Sequence, residues 1–215
     1  MRTRYDEELK RMHDALIDMG AMIERAICGA ITELENRDIQ KAKEIIAYDE
    51  EIDEQERLIE DMCMKLLLRQ QPVAGDLRKI STTLKLITDM ERIGDHAADI
   101  SELAMMLRDL PQMNSKNLRE MAVQTSAMLI DSVEAYVAQD EKKARAVIQH
   151  DDVVDELFVA VKREMIEAIR QDSDCSEAAA DQLMAAKYFE RIGDHATNIA
   201  EWTIYAIYGN HESLV

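Results

Sequence analysis

With only two prolines and six glycines in 215 residues, the chain has few points at which a helix must stop. Aromatic residues make up 4%, and clusters of Val, Ile or Thr are rare, so little in the composition supports a sheet. No uncharged apolar run reaches the roughly eighteen residues of a bilayer-spanning helix, and we expect no transmembrane segment. The first residues, Met1 to Glu7, lack the apolar stretch of a signal peptide. Three cysteines, Cys28, Cys63 and Cys175, are an odd number without C-x-x-C spacing, which reads as reduced thiols in a cytosolic protein. A nucleophile elbow, a P-loop and a glycine-rich dinucleotide loop are all missing, so enzyme classes built on them have no foothold. Positive charge is also scarce, with 26 Lys and Arg against 44 Asp and Glu and a net charge of −18. Such a surface repels nucleic acid and anionic lipid, and it attracts cations or a basic protein surface.

What is present is helical periodicity. Apolar residues recur at helical spacing from about Tyr5 to Leu34, among them Leu9, Met12, Leu16, Met19 and Ile23. Asn36-Arg37-Asp38 then reads as a turn, with Asp38 capping a helix that runs to about Arg69. The stretch Gln70 to Asp76 contains Pro72 and breaks the pattern, with Asp76 placed to cap a third helix ending near Arg108. Pro111 marks the other break, near mid-chain. Three more helices are expected at about 115–138, 141–170 and 177–208. The predicted fold is therefore all-α, two tandem up-down-up bundles of three helices, spanning residues 1–110 and 111–215.

The halves repeat one another. Glu91-Arg92-Ile93-Gly94-Asp95-His96-Ala97 returns, residue for residue, from Glu190 to Ala196. Upstream, Ala42 to Asp53 aligns without a gap with Ala144 to Asp155, which pairs Asp49 with Asp151 and Asp53 with Asp155. In each motif the two acids stand four apart, on one helix face, where like charges repel by roughly 0.2–0.5 kcal/mol. Asp49 and Asp95 lie equally far on either side of Pro72, and so do Asp53 and Glu91. In an antiparallel hairpin these four carboxylates share one level. Asp151, Asp155, Glu190 and Asp194 are likewise centred on the turn between Asp172 and Ser173.

Carboxylates clustered on a partly apolar face need a compensating charge or must stay protonated. Oxygen-only donors suit hard cations, so the candidate metal ligands are Asp49, Asp53, Glu91 and Asp95, and Asp151, Asp155, Glu190 and Asp194. Asp99, a further candidate ligand, and Glu102 continue the first stripe; the second copy has Asn198 and Glu201. The plainer alternative is an acidic solvated face, or ion pairs such as Asp95 with Arg92 and Asp194 with Arg191. His96 and His195 point about 100° away from the neighbouring aspartates and read as packing or supporting groups. Gly94 and Gly193 each cost about 1 kcal/mol inside a helix, which signals close helix approach or room for an ion. The methionines and Trp202 read most simply as core.

The four motifs, DEEID, ERIGD, DDVVD and ERIGD, resemble those of the PhoU family of bacterial phosphate-signalling regulators, as does the Arg69–Arg78 segment RQQPVAGDLR. The likeness spans essentially the whole chain. It implies two similar three-helix bundles, multinuclear clusters of iron or another metal (manganese, magnesium or zinc) at the motifs, and a cytoplasmic location peripheral to the membrane. It also implies contact with a phosphate transporter's ATPase subunit and with a sensor histidine kinase, restraining the phosphate-starvation response; the expected assembly is a homodimer. Asn198 in place of the Asp99 equivalent, and the absence of a second RQQPVAGDLR-like turn, depart from strict equality of the halves. Two other classes stay open. A carboxylate-bridged di-iron oxidase uses Glu-x-x-His pairs, yet none of the five histidines has an acid three residues before it. A helical adaptor or storage protein, with or without metal, needs no phosphate role.

Overall fold

The computed structural model describes residues 2–70 and 74–209. Among them are six α-helices and no strand: α1 (Arg2–Asn36), α2 (Ile39–Gln70), α3 (Ala74–Met106), α4 (Lys116–Ala138), α5 (Glu141–Gln171) and α6 (Ser176–Tyr208). No helix among the described residues is long and apolar enough to cross a membrane.

The helix boundaries follow local chemistry. Helix α1 ends where Arg37 adopts φ 59°, a left-handed conformation that lets its N–H donate to Glu33 O at 2.7 Å. Asp38 then caps α2, its Oδ1 accepting from the Gln40 and Lys41 amides at 3.0 and 3.2 Å. Ser115 caps α4 through Leu118 N, and Asp140 caps α5 through Lys143 N. Asp76 behaves differently from expectation. Helix α3 begins two residues earlier, so Asp76 lies in its first turn, beside the positive helix end, and not at the N-cap position. Pro72, the expected centre of the first hairpin, lies outside the described residues. The second turn is a short 3-10 helix, Ser173–Cys175, tied by the Asp172 carboxylate to Asp174 N.

Helices α1, α2 and α3 pack together, as do α4, α5 and α6. The halves meet along α3 against α6 and α1 against α4, and the buried apolar side chains form one continuous core. Met12, Leu16, Met19, Ile23 and Ile27 line the inner face of α1 with no exposed surface; each contributes about 1.5–3 kcal/mol by burial. Polar contacts fasten the seam. The Tyr136 hydroxyl on α4 donates to Lys79 O of α3 at 2.7 Å and lies 2.8 Å from the Thr83 hydroxyl. The segment between α3 and α4 is held by Arg37, which donates to Leu110 O and to Pro111 O (2.9 Å), and by Gln182, which donates to Met113 O at 2.6 Å.

Candidate metal centre

The α2–α3 hairpin brings Asp49, Asp53 and Asp95 together, with one oxygen from each lying within 4.8 Å of the others. No other group of three such ligands gathers so closely among the described residues. Glu91 occupies the same level but turns toward Arg92, whose Nε lies 3.5 Å from its Oε2. Asp95 meets Arg92 Nη1 at 3.0 Å, the ion pair expected from their spacing, and Asp53 meets Arg57 at 3.3 Å. Asp99 stands apart from the trio, with Oδ2 3.2 Å from His96 Nδ1.

Asp49 is the strained member. Its Oδ1 is buried without a hydrogen-bond partner, which leaves a polar oxygen stripped of water and uncompensated. Burial first, then the neighbouring carboxylates of Asp95 and Asp53, push its pKa up to about 6. Glu91 is raised in the same way, by burial and by Asp95, with Arg92 opposing. Gly94 makes the close approach possible, since a Cβ there would meet Asp49 Oδ1 at 3.0 Å and Ile52 Cγ2 at 3.2 Å.

The second hairpin repeats this chemistry more loosely. Asp151 is pushed up to about 6 by burial, then by Asp194 and Asp155, with the Thr197 hydroxyl opposing. Asp194 is raised by burial and by Glu190, with Lys187 opposing. Lys187 pairs with Glu190, and among the described residues no three carboxylate oxygens of this set gather as those of Asp49, Asp53 and Asp95 do. Both sets offer oxygen donors only, the type that suits hard cations, and the Asp49 oxygen is left without a compensating partner.

No described histidine joins the trio of Asp49, Asp53 and Asp95. His150 bonds Gln124 at 2.6 Å, and His13 lies edge-on to Tyr136; His211 lies outside the described residues. His96 and His195 sit between α3 and α6, ring centroids 5.7 Å apart. His195 bonds Asp89, a residue the sequence reading did not single out. The repeat does not pick it out: Asp89 falls opposite Tyr188 within a stretch, residues 85–90, where every position differs between the halves. Trp202 is half-buried at the surface of α6.

A model of the PhoU domain matches residues 16–104 and again 118–203, so each match holds one complete set of acidic motifs. The chain belongs to the PhoU family. Its relatives include a phosphate-specific transport system accessory protein PhoU homolog of Clostridium acetobutylicum, 37% identical over 98% of this chain and 97% of the relative. The PhoU homolog of Borreliella burgdorferi is 31% identical over 100% of this chain and 99% of its own. The crystal structure of PhoU from Pseudomonas aeruginosa superposes with a TM-score of 0.88 at 31% identity, covering 96% of this chain and 100% of that one. The phosphate transport system regulatory protein PhoU from Streptococcus pneumoniae gives 0.87 at 27% identity, over 96% and 98%. The tandem PhoU domains thus coincide with the two three-helix bundles.

Proposed function

We propose that this PhoU-family chain is a cytoplasmic, metal-binding regulator of phosphate uptake and signalling that acts by contact. The phosphate role is carried by full-length similarity to relatives named as phosphate transport accessory proteins. The candidate partners are the transporter's ATPase subunit and a sensor histidine kinase, which the chain engages, as a homodimer, to restrain the phosphate-starvation response. Its charge of −18 favours basic partner surfaces.

The orphaned Asp49 oxygen carries the metal part of this reading. Asp49, Asp53 and Asp95 would hold the cation, with Glu91 and Asp99 at the margin; Asp151, Asp155, Glu190 and Asp194 would form the second seat. A bound cation (iron, manganese, magnesium or zinc) would supply the positive charge that four neighbouring carboxylates lack. The chain's own part is to keep α2 against α3, and α5 against α6, at the level of the acids. The ion pairs of Arg57, Arg92 and Lys187 favour a second reading, a metal-free adaptor in which these cations do the neutralising.

Deleting the gene and following a phosphate-starvation reporter in high phosphate tests the proposal. Reporter induction is expected, with recovery of kinase or transporter subunit in pull-downs. A silent reporter and empty pull-downs sink the regulator reading, and metal analysis of the purified chain separates the two forms of adaptor.

A further inference from the structure

His96 and His195 are matched positions of the repeat, so exchanging the halves maps their contact onto itself. The flanking contacts obey the same exchange with different residues. His195 Nδ1 lies 2.8 Å from Asp89 Oδ1; at the matched place His96 packs against Tyr188, ring centroids 5.4 Å apart. An aromatic ring covers one histidine, while a shorter carboxylate stands beside the other. Next to that carboxylate a cavity of about 360 Å³ opens, lined by Lys85, Thr88, Asp89, Asn198, Glu201 and Trp202.

We propose that this cavity receives an arginine side chain from a basic segment of a partner protein, held by Asp89 and Glu201 beside Trp202. The repeat supports a dedicated feature here. Across the exchange Glu201 stays an acid as Glu102 and Asn198 becomes Asp99, but Asp89 becomes Tyr188 and Trp202 becomes Leu103, so the pairing of a carboxylate with an indole belongs to one end of the seam. Two carboxylates outweigh the single exposed ammonium of Lys85, which selects a cation over an anion. Asp89 is pre-set for the task. His195 and Asn198 both address its Oδ1, the latter at 3.2 Å, which leaves Oδ2 to meet an incoming donor. Its side chain is only 16% exposed, so a charge-assisted bond there is little screened. A carboxylate beside an indole suits a guanidinium better than an ammonium, because its planar fork bonds one and stacks on the other. The volume lies at the small end of ligand pockets, about 300–1,000 Å³, and fits one side chain with its water. This inference does not depend on metal at the acidic motifs or on the phosphate role.

Trp202 is the single tryptophan of the chain, so its emission reports on this site alone. The test titrates the full chain with a short peptide bearing one central arginine among neutral residues, and with the matching citrulline peptide. The arginine peptide is expected to give a saturable, salt-sensitive change in emission, and the citrulline peptide none. Glu201→Gln should weaken binding about tenfold; it leaves the bonds to His195 and Asn198 in place, so unchanged helical circular dichroism separates ligand loss from misfolding. Asp89→Asn should weaken it at least as much. An equal response to citrulline, or undiminished binding by the Glu201→Gln variant, overturns the proposal. A response to spermidine with none to the arginine peptide assigns the cavity to free polyamines and overturns the partner reading as well.

Discussion

Gly94 lies so close to Asp49 that a Cβ on it would stand 3.0 Å from the carboxylate Oδ1 and 3.2 Å from Ile52 Cγ2. At the matched Gly193 the corresponding distances are 3.3 Å to Asp151 Oδ1 and 3.5 Å to Val154 Cγ1. The two glycines answer the same packing demand with different margins.

Alanine at these positions should therefore have unequal effects. Replacing glycine in a helix gains about 1 kcal/mol of propensity, while overpacking costs about 1–3 kcal/mol. Gly94→Ala should lose up to about 2 kcal/mol net, and Gly193→Ala should stay within about 0.5 kcal/mol of the parent. Urea midpoints decide; equal losses would contradict the difference in fit.

The acidic sites set an unusual pH dependence. Asp49 and Asp151 titrate at about 6 in the folded chain, above an ordinary value of 3.8. A raised folded pKa means the fold holds the proton more tightly than the unfolded chain does. Their contribution is thus lost as pH rises from about 4 through about 6, and regained on acidification. Metal-free protein should be more stable at about pH 5 than at about pH 7.5, by on the order of 1–2 kcal/mol after discounting for partial exposure. Asn at both positions should flatten this slope and raise stability at the higher pH. Denaturation at the two pH values, in chelator, is the measurement.

Metal removal should act unevenly on the two halves. The trio of Asp49, Asp53 and Asp95 is gathered, whereas no three oxygens of the second set come so close among the described residues. Asn at Asp49 and Asp53 should lower bound metal more than Asn at Asp151 and Asp155. A metal present at about a hundred times its Kd stabilises by about 2.7 kcal/mol, which chelation should remove from the parent and far less from the first variant. Identical melting temperatures with and without chelator would leave the acids as ordinary surface groups.

Tyr136 offers a test of the seam itself. Phenylalanine there removes the bond to Lys79 O and the contact with Thr83, both in buried surroundings. The expected cost is about 1–2 kcal/mol. A double-mutant cycle with Thr83→Val should show coupling of about 0.5 kcal/mol or more; strict additivity would mean the hydroxyls do not act together.

Much of this arrangement is local in origin, which is why it can be read from the chain. Asp38 as a cap, the breaks near Pro72 and Pro111, and the matched distances of Asp49 and Asp95 from one turn depend on near neighbours or on hairpin symmetry. Asp76 shows the limit, since a helix can begin two residues before its best capping side chain. Asp89 and Trp202 show another. Their surroundings are set by how α3 meets α6, and hairpin arithmetic within one half is blind to contacts between halves. Glu91 shows a third: spacing places it level with the other acids, but it cannot weigh the competition of Arg92, toward which Glu91 turns.

The seam of α3 with α6 and α1 with α4 also bears on how the chain folds. The apolar faces of these four helices close on each other, so each half alone would present its inner helices to water. Duplication in sequence is then not independence in folding. Neither bundle has a complete core of its own, and the two should unfold in one cooperative transition, with an isolated half prone to self-association through the face its partner normally covers.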